Sequence, residues 1–297
     1  MNKISQAFQR LQSAGLNRPL AAYRLVQAAI LISLFWKWEF FLQANSIYAN
    51  TPVEDPFFPD WLRSVTTIRF AFWGSALATG ISLITSFNLL QRACSWLGFF
   101  GITLMCVHQG SYNDMTFVTI WWCCLWSVWL SHRVDSLWLS HRVDTDQQEL
   151  LMRRAAFLSR LIISLILLGG AAGKWTPEYW SGEVLFDIYF VDRDFWLFNY
   201  LRANYEPEEL QEIAKWYSRQ IVVVETISGI GLWALPARWA ALIATIILSG
   251  IVILSNKYLV SVIACLIGLA CVGFFVPRRP RNAATLASPA TEEPAAN

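Results

Sequence analysis

Charge is scarce in this chain. Only 15% of its 297 residues are Asp, Glu, Lys or Arg, against 56% hydrophobic residues, and the mean hydropathy is positive. Such a composition excludes an ordinary soluble globular domain. Histidine is scarcer still, at three residues, and only His108 lies near an apolar stretch. That leaves no paired histidines to hold a haem within a membrane. Neither a Walker-type phosphate loop, an HExxH zinc motif nor a metal-ligand cluster is present. The apolar stretches also lack the dense acidic residues expected of an ion pump. Net charge is only +2, and no nucleic-acid partner is expected.

The six cysteines (Cys94, Cys106, Cys123, Cys124, Cys265, Cys271) all fall within or beside apolar stretches, none of them in the two long acidic segments. An extracellular disulfide framework is therefore not expected. Cys123 and Cys124 are adjacent rather than spaced as CxxC, so the six read as buried small hydrophobes.

What the chain has in quantity is apolar length. About eight stretches approach the roughly 20 residues that cross a bilayer as helix: 20–43, 67–87, 93–109, 115–131, 155–173, 219–235, 238–254 and 258–276. They predict an all-α, polytopic membrane protein, with the bilayer as its first partner. Trp36, Trp38, Trp61, Trp96, Trp129, Trp175, Trp180 and Trp239 fall near stretch ends, where amphipathic rings prefer the headgroup layer. With eight spans, Lys3, Arg10, Arg18, Arg92, Arg133, Arg142, Arg153, Arg154, Arg238, Arg278, Arg279 and Arg281 share one side. Glu54, Asp55, Asp60, Asp187, Asp192, Asp194, Glu206, Glu208 and Glu209 share the other. The positive-inside rule then places both termini in the cytoplasm, and a bacterial inner membrane is expected. Residues 1–19 read as a cytoplasmic lead into an uncleaved anchor, and 277–297 as a disordered tail.

The stretches divide into halves at 20–131 and 155–276. Tyr23-Arg24-Leu25 leads to Lys37-Trp38, and Ser159-Arg160-Leu161 leads to Lys174-Trp175. An acidic, aromatic outer loop follows each, and then a stretch opening with Arg69 or Arg219. The Arg-to-Lys spacing differs by one residue, a rotation of about 100°. A second repeat, Ser127–Asp135 followed by Ser136–Asp144, places its copies on opposite helix faces. It reads as a duplication tolerated in a cytoplasmic loop, with its Trp and Leu on the membrane surface, which makes His132 and His141 poor metal ligands. The outer loop 174–218 carries Glu206-Pro207-Glu208-Glu209, the start of a capped amphipathic helix against the bundle.

Lys174 is the leading candidate for chemistry. A lysine withdrawn from water by aromatics gives up its proton more readily and can serve as base or nucleophile. The plain alternative is a lysine that snorkels to the interface, and for Lys37, beside Glu39 and several aromatics, that alternative is stronger. His108 and Asn113 sit on the same predicted side, suited to proton transfer and to donation toward a carbonyl oxygen. A hydrogen-bonded structural histidine fits His108 equally well. Glu225 lies within a predicted span and should be paired there, with Arg219 and Arg69 as plausible partners. Trp175 completes the candidate binding set.

Gly170 to Lys174, with Trp180-Ser181-Gly182 behind it, resembles the HTTM family, the transmembrane domain shared with vitamin K-dependent gamma-carboxylases. His108 to Asn113 is similar to that family's Asn/His/Tyr element, and Arg18–Arg24 to its entry into the first span. The arginine, apolar run and Gly-Lys ending also resemble DoxX- and MauE-type membrane proteins. The resemblance covers most of residues 18–276. It implies that Lys174 acts as base toward a reduced quinone, that His108 supports it, and that the cofactor is a quinone. The spacing from Gly170 to Lys174 is one residue longer than the family's. With only a short tail after the last stretch, carboxylation of a peptide glutamate is not expected. Three functions stay open: a quinone-linked redox or oxygenase-like enzyme, a non-enzymatic subunit or scaffold beside a membrane redox partner, and a small-solute transporter.

Overall fold

Helix is the only regular structure among the residues described, which in this computed structural model are 18–38, 61, 64–86, 89–107, 115–138, 145–191, 193–254 and 259–277. The long helices are α1 (Arg18–Trp36), α2 (Val65–Ile84), α3 (Leu89–Val107), α4 (Met115–Trp138) and α5 (Thr145–Gly173). Between α5 and the next long helix lie the short α6 (Pro177–Trp180) and α7 (Glu183–Leu185), a π-turn at Phe186–Val191 and α8 (Trp196–Asn204). Then come α9 (Pro207–Gly231), α10 (Ala237–Leu254) and α11 (Val260–Cys271). Among the described residues, four helices are long and apolar enough to cross a membrane: α1, α2, α3 and the Asp146–Gly173 part of α5. Apolar segments at Ala237–Ile253 and Val260–Phe275 are shorter.

Two boundaries differ from the sequence reading. Helix α5 begins at Thr145 rather than near 155, extended by polar residues in which Arg153 donates to Glu149 one turn earlier. Residues 207–231 form one continuous helix, so the expected amphipathic helix and the sixth apolar stretch are a single element. Pro207 fits its first turn, and the Glu209 carboxylate accepts from the Glu206 backbone N–H at 3.1 Å. The duplicated segment also differs from the loop expected. Helix α4 runs to Trp138, and Ser127, Val128, Leu130, Ser131 and Val134 of the first copy are buried core.

Helix α1 packs on α2, α4 and α11; α3 packs on α2 and α4; α5 packs on α9 and α11; α10 packs on α11. The contacts show successive long helices running up and down. Near one end, Arg24 at the start of α1 reaches the Thr85 carbonyl just after α2, at 3.3 Å. The same end has Tyr23 bonded to Ser95 of α3 at 2.7 Å and Arg238 of α10 donating to the Val276 carbonyl at 2.9 Å. Toward the other end, Ser33 of α1 donates to the Ser261 carbonyl at 2.6 Å, and Thr116 of α4 meets the Ser261 hydroxyl at 2.8 Å. Buried hydroxyls thus tie α1, α4 and α11 together through groups that complete one another's hydrogen bonds.

Of the tryptophans assigned to an interfacial belt, Trp36, Trp38, Trp61, Trp96, Trp175 and Trp239 are exposed. Trp129 and Trp180 are part-buried, and Trp126 is fully buried, donating to the Ala155 carbonyl at 3.2 Å and joining α4 to α5. All six cysteines are free, and Cys94, Cys123, Cys124 and Cys265 are buried. For these four this agrees with the reading as buried small hydrophobes, whereas Cys106 and Cys271 are part-buried.

Candidate functional site

The short elements between α5 and α9 make an aromatic cap. Leu185, Tyr189, Phe190 and Phe198 form its core with Leu210 and Ala214 of α9. Arg202 holds the π-turn by donating to the carbonyls of Phe190 at 3.1 Å and Arg193 at 2.8 Å. Arg193 lies over the Tyr189 ring at 4.9 Å. Burial among these rings, with Tyr189 adding to it and the Arg193 charge opposing it, pushes the Tyr217 hydroxyl up to about 12. Burial moves the Tyr179 hydroxyl up as well, with the Glu225 charge contributing.

Gly182 explains why the cap sits where it does. Its φ is +85°, and a Cβ there would lie 2.4 Å from the Lys215 backbone nitrogen on α9. Only glycine permits both the left-handed backbone and the close approach. Around it, Ser218 donates to the Tyr179 carbonyl, and Arg219 donates to the Trp180 carbonyl at 3.3 Å. Trp180-Ser181-Gly182 is therefore the joint between the cap and α9.

Beneath this joint is Lys174, the first residue past α5, whose backbone N–H closes the helix on the Ala171 carbonyl at 3.0 Å. Its ammonium forms an ion pair with Glu225 of α9, a residue 51 positions away, and lies 5.9 Å from the centre of the Tyr179 ring. The Glu225 side chain is 11% exposed and that of Lys174 28%. Ser218, Val222, Glu225 and Gly229 form one buried stripe along α9, and α9 packs on α5. A Cβ at Gly229 would strike Leu168 at 2.7 Å, so the helices are in close contact one turn from the pair. At Gly170, one turn before Lys174, a Cβ would come within 3.4 Å of Glu225 Oε2 and 4.0 Å of Lys174 Nζ. The pair rests against a helix surface left bare by glycine. Glu225 Oε2 is buried and has no hydrogen-bond partner among the described residues.

The expected site is thus redistributed. Glu225 is paired, but with Lys174 rather than Arg219 or Arg69. Arg219 is held by Trp180, over whose ring it lies at 5.7 Å. Arg69 is half-buried on α2, in the other half of the chain. Trp175 is exposed, with its ring centroid 4.9 Å from that of Trp180. Lys37 follows α1 as Lys174 follows α5, its N–H bonded to the Leu34 carbonyl at 3.0 Å. His108 and Asn113 lie outside the described residues. Sequence reasoning missed Gly170 as the floor of the pair and Ser218 as a clamp on the cap; the buried spacing of Ser218, Val222, Glu225 and Gly229 is the signal that marks that face. Among the described residues, no group of three or more His, Cys, Asp or Glu side chains could hold a metal.

The fold and site define an all-helical protein with several membrane-capable helices and a cation–carboxylate pair beneath an aromatic cap. No protein-family model, curated protein or solved structure matches the chain.

Proposed function

We propose that this chain is an integral membrane protein that binds a quinone-like or lipid-like molecule bearing a hydrogen-bond donor at the Lys174–Glu225 pair, on the outer side. The observation that carries the reading is Glu225 Oε2, a buried acceptor without a partner among the described residues, beside a paired ammonium and the bare surface of Gly170. A buried acceptor left unsatisfied is unfavourable by about 1–3 kcal/mol, more if charged, and a ligand hydroxyl would relieve that penalty. A quinol offers such a hydroxyl, and in the quinone form its carbonyl suits donation from Lys174. Proton exchange between ligand and carboxylate is the chemistry this arrangement favours.

The amine is already engaged by a carboxylate, which supports the binding or subunit reading over a free-amine base. In this reading the chain works beside a redox partner in the membrane. The HTTM-like elements at Gly170–Lys174 and Trp180–Gly182 are consistent with it. Support for eight spans comes from the alternating directions of the four membrane-capable helices and of α4, α9, α10 and the shorter α11. Arg18, Arg92, Arg153 and Arg238 lie at or near starts of helices on the end opposite the cap, which fits cytoplasmic termini and a bacterial inner membrane. The neighbours α1–α2, α3–α4 and α1–α4 have counterparts in α5–α9, α10–α11 and α5–α11, which supports two related halves, whereas the close packing of α2 on α3 has no equal between α9 and α10.

The test is quinone and quinol binding to the purified protein in lipid nanodiscs, compared with Glu225→Gln. Quinol binding in the parent that weakens about tenfold or more in the variant is expected for a lost charge-assisted bond. Equal binding by both proteins, or none by the parent, would refute the reading.

A further inference from the structure

A second polar feature lies on α5, well away from the cap. Arg160 is one and a half turns into the apolar stretch that begins near residue 155, a depth of about 8 Å. It lines a pocket with Ser159, between α5, α10, α11 and the turn at Leu232–Ala234. Six alanines and Gly273 form most of the remaining wall. The guanidinium lies 5.7 Å from the centre of the Trp233 ring, which packs edge-on against Phe157. No acidic side chain pairs with Arg160 among the described residues. Ser159 is 2% exposed, and its Oγ is buried without a hydrogen-bond partner among the described residues.

The pocket therefore combines an uncompensated guanidinium, an unsatisfied hydroxyl and an apolar wall of small side chains. Stacking on Trp233 holds the guanidinium without neutralising it. About 20 Å³ of the interior can take a water-sized group. That admits an oxygen atom or a chain end, not a whole headgroup. The guanidinium calls for an anionic oxygen ligand, to which the Ser159 hydroxyl can also donate.

We propose that the mouth of this pocket binds an anionic phospholipid of the leaflet opposite the cap, with its phosphate outside on Arg160 and one phosphate oxygen entering toward Ser159. The inference rests on the membrane reading above, since the lipid must be within reach of α5. Basic pockets between membrane helices on the cytoplasmic side recognise anionic headgroups in this way, and one arginine near the surface contributes about 1 kcal/mol. Charge complementarity selects an anionic over a zwitterionic lipid.

The test is native mass spectrometry of the full chain released from nanodiscs holding equal phosphatidylglycerol and phosphatidylcholine of the same acyl chains. The parent should retain phosphatidylglycerol preferentially. Arg160→Gln should lower that preference about fivefold, the equivalent of one arginine contact. Ser159→Ala should lower it less, and Arg154→Gln, at an exposed position on the same helix, less than Arg160→Gln. An equal loss in Arg154→Gln would mean a general surface field and overturn the pocket assignment. No lipid preference in the parent overturns it without any variant, so a misfolded Arg160→Gln leaves the test decisive. Inorganic phosphate added to lipid-free protein in detergent is the further arm. Binding there that depends on Arg160 without lipid retention in nanodiscs would assign the pocket to free phosphate instead. Failure of the parent to enter nanodiscs would refute the membrane reading itself.

Discussion

Lys174 and Arg160 are two cations on or beside one helix, 14 residues and about 21 Å apart, yet the protein accommodates them differently. Lys174 has a carboxylate brought from α9, a glycine floor and an aromatic cap. Arg160 has a tryptophan face and a serine hydroxyl nearby, with no acid among the described residues. A compact ammonium beyond the helix end can be neutralised by one side chain. A planar guanidinium can be held by stacking while its N–H groups remain available. The ends are therefore complementary in what they leave open: an acceptor, Glu225 Oε2, beside Lys174, and donors at Arg160.

The sharpest way to break this comparison is to remove the lysine. Lys174→Met leaves Glu225 buried without its counter-charge. It should destabilise the protein by about 3 kcal/mol, the low end for breaking a buried pair because the Lys174 side chain is partly exposed in the parent. Thermal unfolding in detergent measures this, and a change within about 0.5 kcal/mol would show that the pair carries no weight. Next in size is Gly182→Ala, which forces a side chain into a left-handed backbone against α9. A loss of about 2 kcal/mol is expected, together with faster hydrogen exchange in residues 177–204 than in α1. Uniform exchange through the chain would separate the cap from the site.

At the other end the effects should be smaller. Trp233→Leu removes the stacking surface under Arg160 and should reduce stability by about 0.5–1 kcal/mol, with Lys174 unaffected. A larger loss would mean that Arg160 depends on Trp233 as heavily as Lys174 depends on Glu225. Finally, the cap should respond to alkali. Tyr217 is held protonated in the folded state up to about 12, against 10.0 for an ordinary tyrosine. Between those values the unfolded chain has lost a proton that the folded one keeps, so stability falls as pH rises from about 10 to about 12. Tyrosinate absorbance that appears near pH 10 for every tyrosine, with no later phase, would contradict the burial of Tyr217.

Much of the helical layout was legible because apolar length survives without any contact information. Helix occupies the described part of each stretch, with ends shifted by polar turns such as Glu149–Arg153, but only four of these helices are long and apolar enough to cross a membrane. The single helix 207–231 was harder to see. Its first half carries Glu208, Glu209, Glu212, Lys215 and Arg219, which interrupt hydropathy but not the 3.6-residue period. The partner of Glu225 was legible in kind and not in identity. Its burial demanded a cation, and the choice among Arg69, Arg219 and Lys174 was fixed by packing of α5 on α9, which depends on Gly170 and Gly229. The first duplicated segment was misplaced because its His-Arg-Val-Asp ending reads as a loop, whereas its Val, Leu and Ser side chains face the core.

The most direct test is a double-mutant cycle on thermal or denaturant stability with Lys174→Met, Glu225→Gln and the two combined. The account predicts that the double variant is more stable than the sum of the single losses implies, with a coupling of about 2 kcal/mol between residues 51 positions apart. Single losses that add to within about 0.5 kcal/mol would contradict the pair on which the proposed site is built.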